Sequence, residues 1–319
     1  LTPAVGDAIN GAMLRRGLVV LCVVAACGRG AGEPEPLGLV TSPPPPKPIE
    51  VDKARRDAGE LARALTQRWR TAAAALGDHR LTIDSEVVVK DGATELERLG
   101  EHTVITSTAA GDYHAVADNS ADYGREVIWL AGQLYLRPRY ARWHHRPLEA
   151  DDEPAAIRDQ LAAVLGDYLE LCARGVEVSD KGPRQVAGRA GHVVELKLTP
   201  SPRPATKATV TQRAWRDRVT VTAVAGEVVL DDAAGFALTA RLTAEVTFER
   251  DGRPLTMAIS VTHGVEVVAT PTLAPPPADQ VVTTAMRSTE VDDRNFLLKG
   301  LAPPERKAVP DDERLGTKP

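Results

Sequence analysis

Cysteine is scarce in this chain, and so are aromatic side chains. Three cysteines occur in 319 residues, and two of them, Cys22 and Cys27, lie in one short N-terminal apolar stretch. Cys172 therefore stands alone in the body of the chain, which excludes an intramolecular disulfide framework and a metal site built on several thiolates. It falls within a helical apolar pattern and reads as a core residue, not a reactive thiol. Aromatics make up 4% of the residues, so a core must be built from Val, Leu and Ala. The net charge of -5 is too small to mark a nucleic-acid or polyanion binder. No apolar run approaches the roughly 20 residues that span a bilayer as a helix. Gly-x-Ser-x-Gly, His-Glu-x-x-His and P-loop patterns are all missing. An enzyme is not expected, and neither is a cofactor or a metal.

What is present begins at MLRRGLVVLCVVAACGRG, residues 13–30. Arg15 and Arg16 form a cationic start, Gly17 to Ala26 a short uncharged apolar centre, and small residues precede a cut, as in a secretory signal. Val24-Ala25-Ala26-Cys27 resembles a bacterial lipobox. That resemblance implies cleavage between Ala26 and Cys27, with Cys27 acylated. Residues 1–12 lack the character of a signal, so Met13 is the expected start. Residues 27–49 then form a lipidated tether whose Pro-Pro-Pro-Pro run favours an extended polyproline II chain. Residue 28 is Gly and not the Asp that resembles an inner-membrane retention signal, which points to the outer membrane of a Gram-negative-type bacterium.

The expected body spans residues 50–270. From Val51 to Leu76, Ala54, Ala58, Leu61, Leu65, Trp69, Ala72 and Leu76 recur at helical spacing. Leu81, Ile83, Val87 and Val89 alternate, which predicts a strand closed by an Asp91-Gly92 turn. Strand-like pieces follow at 94–107, 111–118, 124–131 and 133–140. Residues 151–172 predict a second helix, with Asp151, Asp152 and Glu153 at its start and a stripe from Ile157 to Cys172. Around the Asp251-Gly252 turn, Phe248 faces Leu255, Val246 faces Met257, Ala244 faces Ile259 and Leu242 faces Val261. A one-residue slip would destroy that match. Residues 218–231 predict another long strand, bulged near Ala223-Val224. The fold class is α+β: a long curved antiparallel sheet forming an open half-barrel, with an N-terminal helix and a second helix covering its apolar face. Residues 271–319 have the composition of a mostly disordered tail. Within it, NFLLKGLAPP (295–304) is apolar enough to dock on the domain or to meet a partner.

VAGRAGHVVELKLTP (186–200), followed by GEVVLDDAAGFALTARLT (226–243), resembles the paired signature of the periplasmic LolA/LolB and RseB-like superfamily. Gly188 and Gly191 would permit one tight reversal, and Asp231, Asp232 and Gly235 the next. The resemblance covers roughly residues 51–269. It implies an open half-barrel with helices over its hollow, and a lipid or lipoprotein carrier, acceptor or sensor. The chain departs from the soluble carriers in having its own lipobox.

REVIWLAGQLYLRPRYARWHHRP (125–147) is the most unusual stretch, and six of the twelve aromatics lie between Tyr113 and Trp143. In strand geometry Tyr135, Arg137 and Arg139 point one way and Leu134 and Leu136 the other. With Arg142 and Trp143 they are the candidate ligand or partner contacts, forming a cationic, aromatic-rimmed mouth. The alternative is a solvated strand face whose arginine stems cover apolar surface. His144-His145 is a poor metal pair, because adjacent side chains of an extended chain diverge. The two readings of function are non-catalytic binding of a lipid or lipoprotein acyl chain, or a structural or protein-interaction lipoprotein with a filled core. The expected partners are the bilayer, through Cys27, and a lipid or lipoprotein ligand. Nucleic acid is not among them.

Overall fold

The computed structural model describes residues 48–66, 74–202, 215–216, 218–283 and 293–305. The signal, Ala26, Cys27 and most of the tether lie outside the described residues, as do Trp69 and Ala72 of the first expected helix.

The longest hairpin joins β10 (Ala237–Arg250) to β11 (Arg253–Val267). Its register is Phe248↔Leu255, Val246↔Met257, Ala244↔Ile259 and Leu242↔Val261, as the alternation predicts. Asp251 and Gly252 form the turn with φ of 53° and 73°, the left-handed pair that a two-residue hairpin requires. β11 pairs on its other side with β1 (His79–Asp91), which pairs in turn with β2 (Thr94–Ser107). The sheet continues through β3 (Tyr113–Asn119), β4 (Gly124–Leu130), β5 (Gln133–Pro138) and β6 (Trp143–His145). Beyond β10 lie β9 (Thr220–Asp231), β8 (Arg189–Leu198) and the edge strand β7 (Val176–Val186). A short β12 (Val281–Val282) completes twelve strands in the order β12-β6-β5-β4-β3-β2-β1-β11-β10-β9-β8-β7. The sheet is open, and antiparallel throughout except where β12 joins β6.

Two local expectations shift. The bulge in β9 falls at Thr222, because Glu245 pairs with Ala223 and Val246 with Val221. The reversal before β8 uses Ala187 and Gly188, with φ of 50° and 77°, while Gly191 lies inside β8. A Cβ at Gly191 would stand 2.7 Å from the Leu230 carbonyl oxygen, so this glycine serves a close strand approach and not a turn.

The helices are more broken than their stripes suggest. The first region gives α1 (Val51–Ala54) and α2 (Ala58–Leu65). They separate because the Asp57 side chain accepts a bond from Glu60 N and caps α2, offering the backbone an alternative to a continuous helix. The second region gives α3 (Glu153–Ala162) and α4 (Val164–Cys172), parted at Ala163 where ψ is -5°. The stripe survives the break: Ile157, Leu161, Val164, Leu165, Tyr168, Leu169 and Cys172 are all buried. They share one core with Leu81, Ile83, Val87 and Val89 of β1 and with the even positions of β10 from Ala240 to Phe248. No helix among the described residues is long and apolar enough to cross a membrane.

The stretch beyond residue 270 is not all tail. From Val267 the chain passes the width of six strands, β1 to β6, to place β12 beside β6 at the edge of the sheet. The segment 295–304, expected to dock, begins inside a short α5 (Asp293–Leu297), and Leu297 and Leu298 are buried in the main core. Burying this leucine pair is what composition alone undervalued.

Candidate functional site

Strand alternation places Tyr135 and Arg137 on the face of the sheet away from the helices, and Leu134 and Leu136 towards them. Tyr135 stacks on His145 with ring centroids 4.8 Å apart, and Arg137 lies 4.6 Å above the Trp143 ring. These three predicted residues form one group. Arg139 sits apart, over the Tyr140 ring and 3.5 Å from Asp122 and 3.6 Å from Asp118. Arg142 is exposed in the turn before β6 and makes no ion pair among the described residues. His144 pairs in register with Leu136 and His145 with Tyr135, so the two rings diverge to opposite faces. No group of three His, Cys, Asp or Glu side chains is placed to hold a metal ion among the described residues.

Apart from Arg142, the arginines from Arg137 to Arg146 bring their own counter-ions. Arg137 Nε donates to Glu126 Oε2 at 2.6 Å, and a His114 ring nitrogen lies 2.6 Å from Glu126 Oε1. Burial alone would raise the Glu126 carboxyl, but the bonds from His114 and Arg137 outweigh it and hold the group below its usual range. Arg146, which extends the basic run in sequence, donates to both oxygens of Glu153, at 2.5 and 3.1 Å. Glu153 also accepts from Glu149 N at 2.7 Å. The acid at the start of α3 thus clamps the loop from β6. An anion arriving at this face would compete with carboxylates already in place, so stacking and hydrogen bonding are what the face offers.

A second cluster was missed by sequence. The face of the sheet turned to the helices is dry along β10 and β11 but polar at one end of β1 to β4. Register sets Ser85 opposite Glu101, Glu101 opposite Asn119, and Ala117 opposite Arg125, all on inward positions. Into this corner come Asp293 and Arg294 of α5, which are 2% and 4% exposed. Asn119 Nδ2 donates to Asp293 Oδ2 at 2.9 Å. Arg294 donates to the Gln160 carbonyl at 3.2 Å and lies 3.4 Å from Asp167 Oδ2 and 4.0 Å from Glu101 Oε2. The signal was polar residues at inward positions, hidden because the β2–β3–β4 register cannot be fixed from weak alternation.

Two half-open cavities lie among the described residues. A half-open cavity of about 280 Å³ is walled by Tyr113, Trp129 and Arg158, and one of about 390 Å³ lies at the β5–β6 edge beside Gln133 and His145. Neither is an enclosed apolar chamber. Tyr168, Leu169 and Cys172 of α4 are 0% exposed against the sheet. Burial pushes the Cys172 thiol up to about 12, so it stays protonated and inert.

No family model matches the sequence, and no curated protein is similar enough to align with it. Solved structures align with about two thirds of the chain at low identity. A LolA superfamily protein from Nitrosomonas europaea is 8% identical over 66% of this chain and 94% of its own, with a TM-score of 0.21. A DUF1329 family protein from Desulfovibrio piger is 9% identical over 68% and 95%, with a TM-score of 0.23. Pseudomonas aeruginosa MucB in its complex with MucA is 15% identical over 68% of this chain and 59% of that one, with a TM-score of 0.19. Likeness of this size carries nothing about function.

Proposed function

We propose that this chain is an exported bacterial lipoprotein, anchored through Cys27, that works by binding a protein partner without catalysis. The observation that carries the reading is the filling of the helix-bearing face. A carrier of acyl chains needs an apolar chamber of several hundred Å³. Here α4 lays Leu165, Tyr168, Leu169 and Cys172 directly on the β1, β10 and β11 side chains, in one continuous buried core. The lipobox and the Pro-rich tether support a body held off a membrane surface, where a docking module meets other envelope proteins. Gly28 supports the outer membrane as that surface.

The test is native mass spectrometry of residues 50–319, exported to a bacterial periplasm without Cys27 so that no covalent acyl chain is present, followed by organic extraction. The expected result is an apo mass that persists after phospholipid and lipopeptide are offered. A stoichiometric acyl ligand would overturn the protein-binding reading and restore the carrier.

A further inference from the structure

α5 is an odd element to find in a core. Five residues cannot hold a helix by themselves, so its contacts must hold it. It reaches the domain after the chain has left β12, and it buries a carboxylate and a guanidinium at a corner where the sheet presents Glu101, Asn119 and Arg125 inward. Leu297 and Leu298 then enter the apolar core, and the next turn ends at Gly300 with φ of 71°. A Cβ on Gly300 would meet the Trp215 indole at 1.9 Å, so the segment closes tightly there. At the polar end the fit is looser. A crevice of about 50 Å³ remains between Thr103, Tyr123, Arg125, Leu161 and Arg294, room for an ordered water or a larger side chain.

We infer that α5 is a stand-in: the corner is a docking crevice for a partner's short amphipathic helix, carrying an acid–arginine pair followed by two leucines, and such a partner displaces α5. This rests on the protein-binding reading and names the partner's chemistry. Each part of the crevice has a matching part in the segment. Asn119 takes the acid, Glu101, Asp167 and the Gln160 carbonyl take the arginine, and the core wall takes the leucine pair. This is recognition of a helix in a groove, read at i, i+1, i+4 and i+5. A tethered occupant competes at an effective concentration in the millimolar range, so a partner must either exceed that or fit the residual space better. The buried charges also make release easier than for an all-leucine plug, because water restores their solvation when they leave.

The probe is a fluorescent peptide of residues 291–304, VDDRNFLLKGLAPP, titrated into the full chain. The full chain carrying Leu297→Asp and Leu298→Asp, which releases α5, is expected to bind it at least tenfold more tightly than wild type. The same peptide with Arg294→Glu is expected to bind neither. Equal affinity of the two proteins for the native peptide would overturn the inference. If the double variant fails to fold, hydrogen exchange on the wild-type chain decides. An isotope-labelled peptide at several millimolar, matching the tethered segment, should speed exchange at 294–300 and leave β10 and β11 unchanged, and no change at 294–300 would overturn it. A bound acyl chain in the mass spectrum would remove the protein-binding reading. A clean apo mass with no response to peptide would remove the stand-in alone.

Discussion

His263 stands where strand alternation reserves a place for an apolar side chain. It lies between Ile83 of β1 and Ala240 of β10, on the helix-bearing face. Its Nε2 is 3.1 Å from the Ala237 carbonyl oxygen, and a carbonyl only accepts, so Nε2 carries the proton. Burial drives the ring down to about 4, although the bond to Ala237 pulls the other way. His79 is lowered too, first by burial, with the Gly77 carbonyl opposing it. A histidine whose folded value lies below its unfolded one of about 6.5 binds its proton more readily in the unfolded chain. Stability is therefore complete above pH 6.5 and falls as pH drops towards 4, by about 1.4 kcal/mol per pH unit for each proton taken up. Urea titrations at pH 7.5, 6 and 5 should show a falling midpoint with an unchanged slope. Substituting His263→Leu should flatten the fall, and a midpoint that stays level between pH 7.5 and 5 in wild type would refute this account.

At the scale of elements, the β10–β11 hairpin is the part the sequence specifies best. Eight apolar positions and one Asp-Gly turn admit one register, because any slip turns leucine and valine to water. Thr243 and Ser260 are opposite one another on the outer face, so Thr243→Cys with Ser260→Cys should oxidise to a disulfide. Thr243→Cys with Ile259→Cys should not, since the two point to opposite faces. Thiol titration of the denatured proteins separates the two outcomes, and a disulfide in the second pair would mean a slipped register. Strand 94–107 was equally legible in extent, whereas the piece expected at 133–140 ends at Pro138. The helices were legible only as stripes, because Asp57 and Ala163 interrupt the backbone without interrupting the apolar face. The candidate face was half legible. Alternation places Tyr135 and Arg137 together, but their neutralisation by Glu126 depends on the β4–β5 pairing. The polar corner that receives α5 was not legible, since it joins residues 174 positions apart, Asn119 and Asp293.

For the whole molecule, the proposed reading gives a folded body with no membrane-length helix among its described residues, preceded in sequence by a proline-rich stretch that would serve as its tether. Residues 28–48, at about 3.1 Å each in polyproline II form, would reach roughly 65 Å. On the proposed reading, such an arm would leave the body free to meet partners while acyl chains on Cys27 fix its position. A single acyl chain gives only marginal attachment, so stable anchoring needs the several chains of a bacterial lipoprotein. The attachment should then depend on one atom, the Cys27 sulfur. Wild-type chain should sediment with outer membranes, resist salt and carbonate washing, and leave only with detergent. Cys27→Ala should abolish acylation and the processing before residue 27, and no acyl mass should remain on its N-terminal peptide. Gly28→Asp should keep the acyl mass but shift the chain to the inner-membrane fraction. If Cys27→Ala still gave a processed, acylated chain, the anchor would lie elsewhere and residues 28–48 would lose their role as a tether.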